Sequence, residues 1–202
     1  MTLMTRNFGV LERLSAGELS AILTELLKTH PELRGEAESI ATRMVSMVAP
    51  DGVVDPILQA LASLDLEDLN ARAGLHDGIY VGPGEAAWEL LEEVADGFVA
   101  DMKRKMDLGF EDAALVVFSG LVIALAKAEE VDSAGPLGWA PDFPAEMACR
   151  AASELIDASS VEKRTAVRDR VVSALEGLDP RWRGMITRTM DQTLSALSAT
   201  RR

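Results

Sequence analysis

The chain has 202 residues, 48% hydrophobic and only 4% aromatic, with a net charge of −13. That content can supply a core for one domain and argues against general disorder, while so acidic a chain repels phosphate backbones, which disfavours direct nucleic-acid binding. A single cysteine, Cys149, excludes an internal disulfide and a cysteine-based zinc site, so a reducing cytoplasm is the expected compartment.

Ala and Leu dominate, and β-branched residues rarely alternate with polar ones, which predicts an all-α fold. From the N-terminus, MTLMTRNFGVLERL is not read as a signal peptide, because Glu12 and Arg13 interrupt its apolar run. Ser15 followed by Glu18 spells a capping box. The pattern predicts helices over 7–14 and 16–30, and His30-Pro31 then breaks it. A residue before proline is disfavoured in helical geometry, whereas proline can open a helix, so His30 reads as a corner and the next helix covers 31–47. Asp55-Pro56 places an N-cap acceptor before a proline and predicts a helix over 55–64, followed by one over 66–73. The glycine-rich GLHDGIYVGPGEAA, 74–87, is the best internal boundary. The chain is thus one helical domain over 1–202, or two halves, 1–73 and 84–202, joined by 74–83.

In the expected helix 84–107, Glu89, Glu92, Glu93 and Asp96 line one side and Leu91, Val94, Phe98 and Met102 another, which reads as a solvated face opposite an apolar one. Of the next, 110–130, the stretch AALVVFSGLVIALA at 113–126 is apolar all round. It should be the central buried helix, being too short for a membrane span. The long connection VDSAGPLGWAPDFP, 131–144, holds Trp139, either a plug over the core or an exposed anchor, with the plug favoured. Further helices are expected over 143–157, over 160–177 (opened by a Ser159/Glu162 capping box) and over 180–199 (opened by Asp179-Pro180). The short connections predict antiparallel helical hairpins packed as a bundle or short α-solenoid.

Charge is uneven. Residues 161–202 hold nine Lys or Arg against five Asp or Glu, a net of +4 on a body of −17. The tail combines Arg181, Arg183 and Arg188 with Trp182. Its stripe of Ile186, Met190, Leu194 and Leu197 predicts an amphipathic helix docked on the acidic body, in preference to a detachable arm. No metal is expected: His30 and His76 are the only histidines, and neither has ligand spacing around it. No cofactor is expected either. Nucleotide-binding glycine patterns, nucleophile elbows and redox cysteine pairs are missing from the sequence.

The run LSAGELSAILTELLKTHPEL resembles the helix, His-Pro or Asp-Pro corner, helix unit of the helical regions that accompany bacterial SWIM-type zinc fingers. The stretch from WELLEEVADGF through ALAKAEEVDSAGPLG is similar to the part of those proteins where a helix, a glycine corner and an Ala-rich helix lead into a Val-Asp-Ser loop. The resemblance covers roughly a third of the chain and implies a stacked helical-hairpin scaffold. A SWIM finger needs several cysteines and a histidine, so with Cys149 alone its metal and nucleic-acid roles do not carry over.

Three functions follow as expectations. First comes a non-enzymatic scaffold that binds a protein or peptide, leaving enzymatic activity open but disfavoured. The second is a small-ligand binder or enzyme with a pocket near 74–87, using His76, Asp77, Tyr80 and Trp88. The third is a charge-based regulator of a nucleic-acid machine. Candidate contacts are His76, Asp77, Tyr80, Trp139, Arg181, Trp182 and Arg183, with no membrane association and no assigned oligomeric state.

Overall fold

The computed structural model describes residues 9–130 and 135–199, and the all-α expectation holds there, with one small β-hairpin among the helices. The chain forms two compact units, 1–44 and 45–202.

In the N-terminal unit, a 3-10 turn at Val10–Arg13 precedes α1 (Ala16–Thr29). The expected capping box is present: Glu18 N–H donates to Ser15 Oγ at 3.3 Å, and Ser15 N–H donates to the Glu18 carboxylate at 2.8 Å. That donated hydrogen bond holds the Glu18 carboxyl below its ordinary pKa. His30 ends α1 with its N–H on the Leu26 carbonyl, and its ring Nδ1 lies 3.1 Å from Glu32, as suits a corner residue. Pro31–Leu33 form a 3-10 turn that runs into α2 (Arg34–Ser46). No described residue of this unit is buried.

The second unit contains α3 (Asp51–Ser63), α4 (Leu66–Arg72), strands β1 (Gly74–His76) and β2 (Ile79–Val81), α5 (Pro83–Asp107), α6 (Glu111–Glu129), α7 (Pro136–Trp139), α8 (Phe143–Ala158), α9 (Arg164–Ala174) and α10 (Pro180–Ala199). Its centre is α6, with α3, α5, α8 and α9 packed around it. Phe118, Leu121 and Leu125 are wholly buried, and within 113–126 only the stripe Val116, Ser119 and Ile123 is half-open, along a groove bordered by Pro50 and Ala174. The α5–α6 corner is a Schellman motif. Phe110 N–H reaches the Lys105 carbonyl at 2.8 Å, Gly109 N–H reaches Met106 at 2.9 Å, and Gly109 takes φ +82°, which glycine adopts without strain. Between α3 and α6 the approach is close: a Cβ on Gly120 would lie 2.7 Å from Cβ and Cγ1 of Val53.

Several boundaries differ from expectation. α3 begins at Asp51 and carries Pro56 inside it, because Val53, Val54, Ile57 and Leu61 form one stripe that gains burial only if the helix starts early. Ser159 is not an N-cap. It is buried and donates to the Leu155 carbonyl at 2.7 Å, and α9 starts at Arg164. The segment 74–83, expected to join two halves, folds as a hairpin within the second unit. In 131–144 the described part contains α7, while 131–134 lie outside the described residues, as do Asn7 and Phe8 of the helix expected over 7–14. The tail helix docks as expected: Trp182, Ile186 and Met190 are buried, with Leu194 and Leu197 packed at the edge of the core. Among the described residues no helix is long and apolar enough to cross a membrane.

Candidate functional site

The hairpin's turn is Asp77-Gly78, with φ of +50° and +83°. Positive φ at both central residues is the mirror-image turn whose twist matches a two-residue hairpin, and Asp-Gly is among the pairs that tolerate it. The register sets Gly74 opposite Val81, Leu75 opposite Tyr80 and His76 opposite Ile79. Directly paired residues share a face of the ladder, so Leu75 and Tyr80 stand together and Ile79 projects from the other face. Leu75 is 72% exposed, Ile79 71% and Tyr80 69%. Such exposure is unusual for a hairpin of three-residue strands, since two strands alone gain stability from packing rather than pairing.

After the hairpin, Gly82-Pro83 opens α5, proline serving as a first helical residue that needs no N–H. At the same end, α7 packs on α5, with the Trp139 carbonyl facing Gly84. α7 turns Pro136 into the core, with Leu137 packed against it, and Ala140 just beyond is buried as well. Trp139 is left 53% exposed. The plug reading of Trp139 is thereby corrected: Pro136, Leu137 and Ala140 fill the place first, and the indole faces solvent. Trp88 is partly buried against the core, its ring edge-on to Phe143 with centroids 5.1 Å apart at 78°.

Beside β2, Asp68, Ala71, Arg72, Val81 and Leu90 line an open depression of about 510 Å³. Arg72 grips Glu93 through two hydrogen bonds of 2.9 and 3.1 Å and lies 3.8 Å from Glu89. This pairing lowers the Glu93 pKa and raises that of Arg72. Further along α5, Arg150 of α8 contacts Glu92, Asp96 (3.0 Å) and Glu154 (3.1 Å), and Lys103 meets Glu154 at 2.8 Å. Burial alone would raise the Glu154 pKa, but the hydrogen bonds from Lys103 and Arg150 outweigh it and hold the carboxyl below its ordinary value. The acid row expected to be merely solvated is thus tied to α4 and α8. Sequence reading missed Arg72 and Arg150 because their partners lie up to 58 residues away.

Two of the tail candidates, Arg181 and Trp182, are engaged within the chain. Arg181 forms a two-pronged bond with Glu129 at 2.8 and 3.1 Å, and Trp182 donates its indole N–H to the same carboxylate at 3.1 Å while only 3% exposed. Arg183 has its Nε buried without a hydrogen-bond partner. Trp182 offers no ring face to a partner, because it pins α10 to the end of α6. Of the candidates, Tyr80 and Trp139 are exposed at one end of α5, Asp77 and His76 sit in the intervening hairpin, and Arg181, Trp182 and Arg183 are part of a separate helix dock. Among the described residues no group of three or more His, Cys, Asp or Glu is arranged to hold a metal ion. Comparison with protein-family models, curated proteins and solved structures finds no match.

Proposed function

We propose that this protein is a non-enzymatic helical scaffold that binds a protein or peptide partner through the hairpin and Trp139. The observation that carries this reading is the exposure of Leu75, Ile79, Tyr80 and Trp139, all placed at the N-terminal end of α5. Single exposed apolar residues are ordinary, but large ones gathered at one end of a helix mark surfaces that a partner covers. Tyr and Trp are also the residues most used as anchors, because they bury much area with few rotatable bonds. The adjoining Arg72, Glu89 and Glu93 supply a polar rim. The resemblance to SWIM-associated helical regions supports the same scaffold reading, and the lone Cys149 supports a cytoplasmic setting.

The test is affinity capture from a cell lysate with the full chain and with Tyr80→Ser plus Trp139→Ser. Both side chains are exposed, so the double variant should melt with the parent. It should lose a partner that the parent retains. The reading fails if the parent retains nothing above background, or if the variant retains the same partners equally.

A further inference from the structure

The N-terminal unit carries a second surface, independent of the hairpin. α1 sets Leu19, Ile22, Leu23 and Leu26 at i, i+3, i+4 and i+7, and α2 sets Ile40 and Met44 at i, i+4. These six side chains are 41–75% exposed, although stripes at this spacing ordinarily face a core. Helices of 14 and 13 residues also gain little from propensity alone, since isolated helices of about 12–15 residues are marginal in water. Cover is what the unit needs.

Charge and size choose the cover. Residues 1–44 hold five Lys or Arg and six Asp or Glu, a net of −1, so 45–202 carry −12 of the chain's −13. Two copies meeting through 45–202 would bring like fields together, whereas 1–44 offers the near-neutral region where self-contact meets little repulsion. A basic partner, by contrast, would be drawn to the acidic unit. Fully burying a large aliphatic side chain removes about 100 Å² of apolar surface, so six roughly half-exposed ones offer on the order of 300 Å². At the ~65% apolar share of homodimer interfaces, that corresponds to roughly 500 Å² of interface per copy, divided between the two helices, to which half-buried Leu27, Leu33 and Ala37 add. Specific interfaces begin near ~600 Å² per partner. The patch therefore suits a reversible pairing of the chain with itself. We propose that residues 9–44 are a self-association element, in which two copies cover each other's α1 and α2 stripes as a two-fold helical bundle.

Sedimentation velocity of the full chain over a dilution series tests this. A reversible monomer–dimer equilibrium is expected, with Leu23→Glu and Leu26→Glu each weakening it about a hundredfold or more. Ala21→Glu, the same added charge on the opposite face of α1, should leave it unchanged, and Leu23→Met should keep it. High salt should leave the dimer intact or tighten it by screening the repulsion between acidic bodies. All three tryptophans lie in 45–202, so their fluorescence melting midpoint should be the same in every variant. A monomer at every concentration overturns the proposal. So does a dimer that survives both stripe variants, that is lost equally in Ala21→Glu, or that salt dissociates. A fall in the tryptophan midpoint on Leu23→Glu would place Leu23 in the interior of 45–202 and overturn it too. A monomer whose stripe is covered only when a foreign protein is added would likewise assign the surface elsewhere.

Discussion

In residues 45–202, Phe118, Leu121 and Ile156 have no exposure, whereas in residues 9–44 no side chain is buried, although both regions are helical and both open a helix with a reciprocal capping box. Ser15 and Glu18 close one box, and Asp65 and Asp68 the other. The contrast separates two contributions that usually arrive together. Caps, corners and stripe spacing specify where a helix begins and which face is apolar, but packing supplies most of what keeps a helix folded. In the second unit packing is supplied within the chain. The first unit presents the specification with its apolar face still open, which is why its surface reads as a contact rather than as a core.

The largest expected effect breaks this contrast in one experiment. Leu121→Glu places an unpaired carboxylate where no water reaches, a change that removes most or all of the ~5–15 kcal/mol by which a domain is stable. Soluble expression should be lost, or the tryptophan signal should show no folded baseline. Leu23→Glu is the same chemical change on a residue that is half exposed, and the tryptophan midpoint should not move. If the two variants behave alike, the distinction between the units is wrong.

A smaller effect comes from glycine. Gly120→Ala would push a Cβ to 2.7 Å from Val53, and since both atoms sit on packed helices, overpacking should cost roughly 1–3 kcal/mol in thermal or urea unfolding. Val53→Ala removes Cγ1 but leaves the Cβ at 2.7 Å, whereas Val53→Gly removes both, so Gly120→Ala should cost much less in the Val53→Gly background than in the parent. The coupling between the two substitutions is the quantity to measure. In the first unit, Gly35 has nothing within 4 Å of its would-be Cβ, and Gly35→Ala should instead raise helix content, by up to about 1 kcal/mol of propensity. A destabilising Gly35→Ala, or an uncoupled Gly120 and Val53, would remove the argument that close approach is confined to the second unit.

Much of the fold was readable because its signals are local. Ser15 with Glu18, His30-Pro31, Asp179-Pro180 and the all-apolar 113–126 each need only a few neighbouring residues to be interpreted, and each stands where expected. What was misread depends on distant groups. Asp55-Pro56 is a good helix start in isolation, and only the burial of Val53 and Val54 against other helices pulls the start back to Asp51. Ser159 could have capped α9, but its hydroxyl found the Leu155 carbonyl instead. The hairpin did have a local signal: Asp77-Gly78 flanked by Leu75 and by Ile79, Tyr80 and Val81. Its glycines were read as breaks rather than as the left-handed positions that a two-residue turn requires. At the candidate surface, the exposure of Trp139 follows from Pro136, Leu137 and Ala140 taking the space beneath it, and the Arg72 and Arg150 clamps pair helices far apart in sequence. No windowed reading could have supplied either.

The smallest effect sharpens the comparison most closely, because it holds the interaction constant and changes only its surroundings. Ser15→Ala and Asp65→Ala each delete the acceptor of one capping box, which costs about 1 kcal/mol in either helix. In α4 the loss falls on a helix whose Leu69 is anchored in the core. Local opening there is suppressed by packing, so amide exchange through Leu69–Arg72 should change little. In α1 no buried residue holds the helix, so the lost cap should pass directly into fraying. Exchange through Leu19–Leu23 should rise about fivefold, the factor that 1 kcal/mol supplies. If self-association covers the α1 stripe, raising the protein concentration should progressively erase that increase and leave α4 unaffected, since only the dimer protects α1. A Ser15→Ala chain whose α1 exchanges at the parental rate even at the lowest concentration would mean that packing, and not capping, holds this helix.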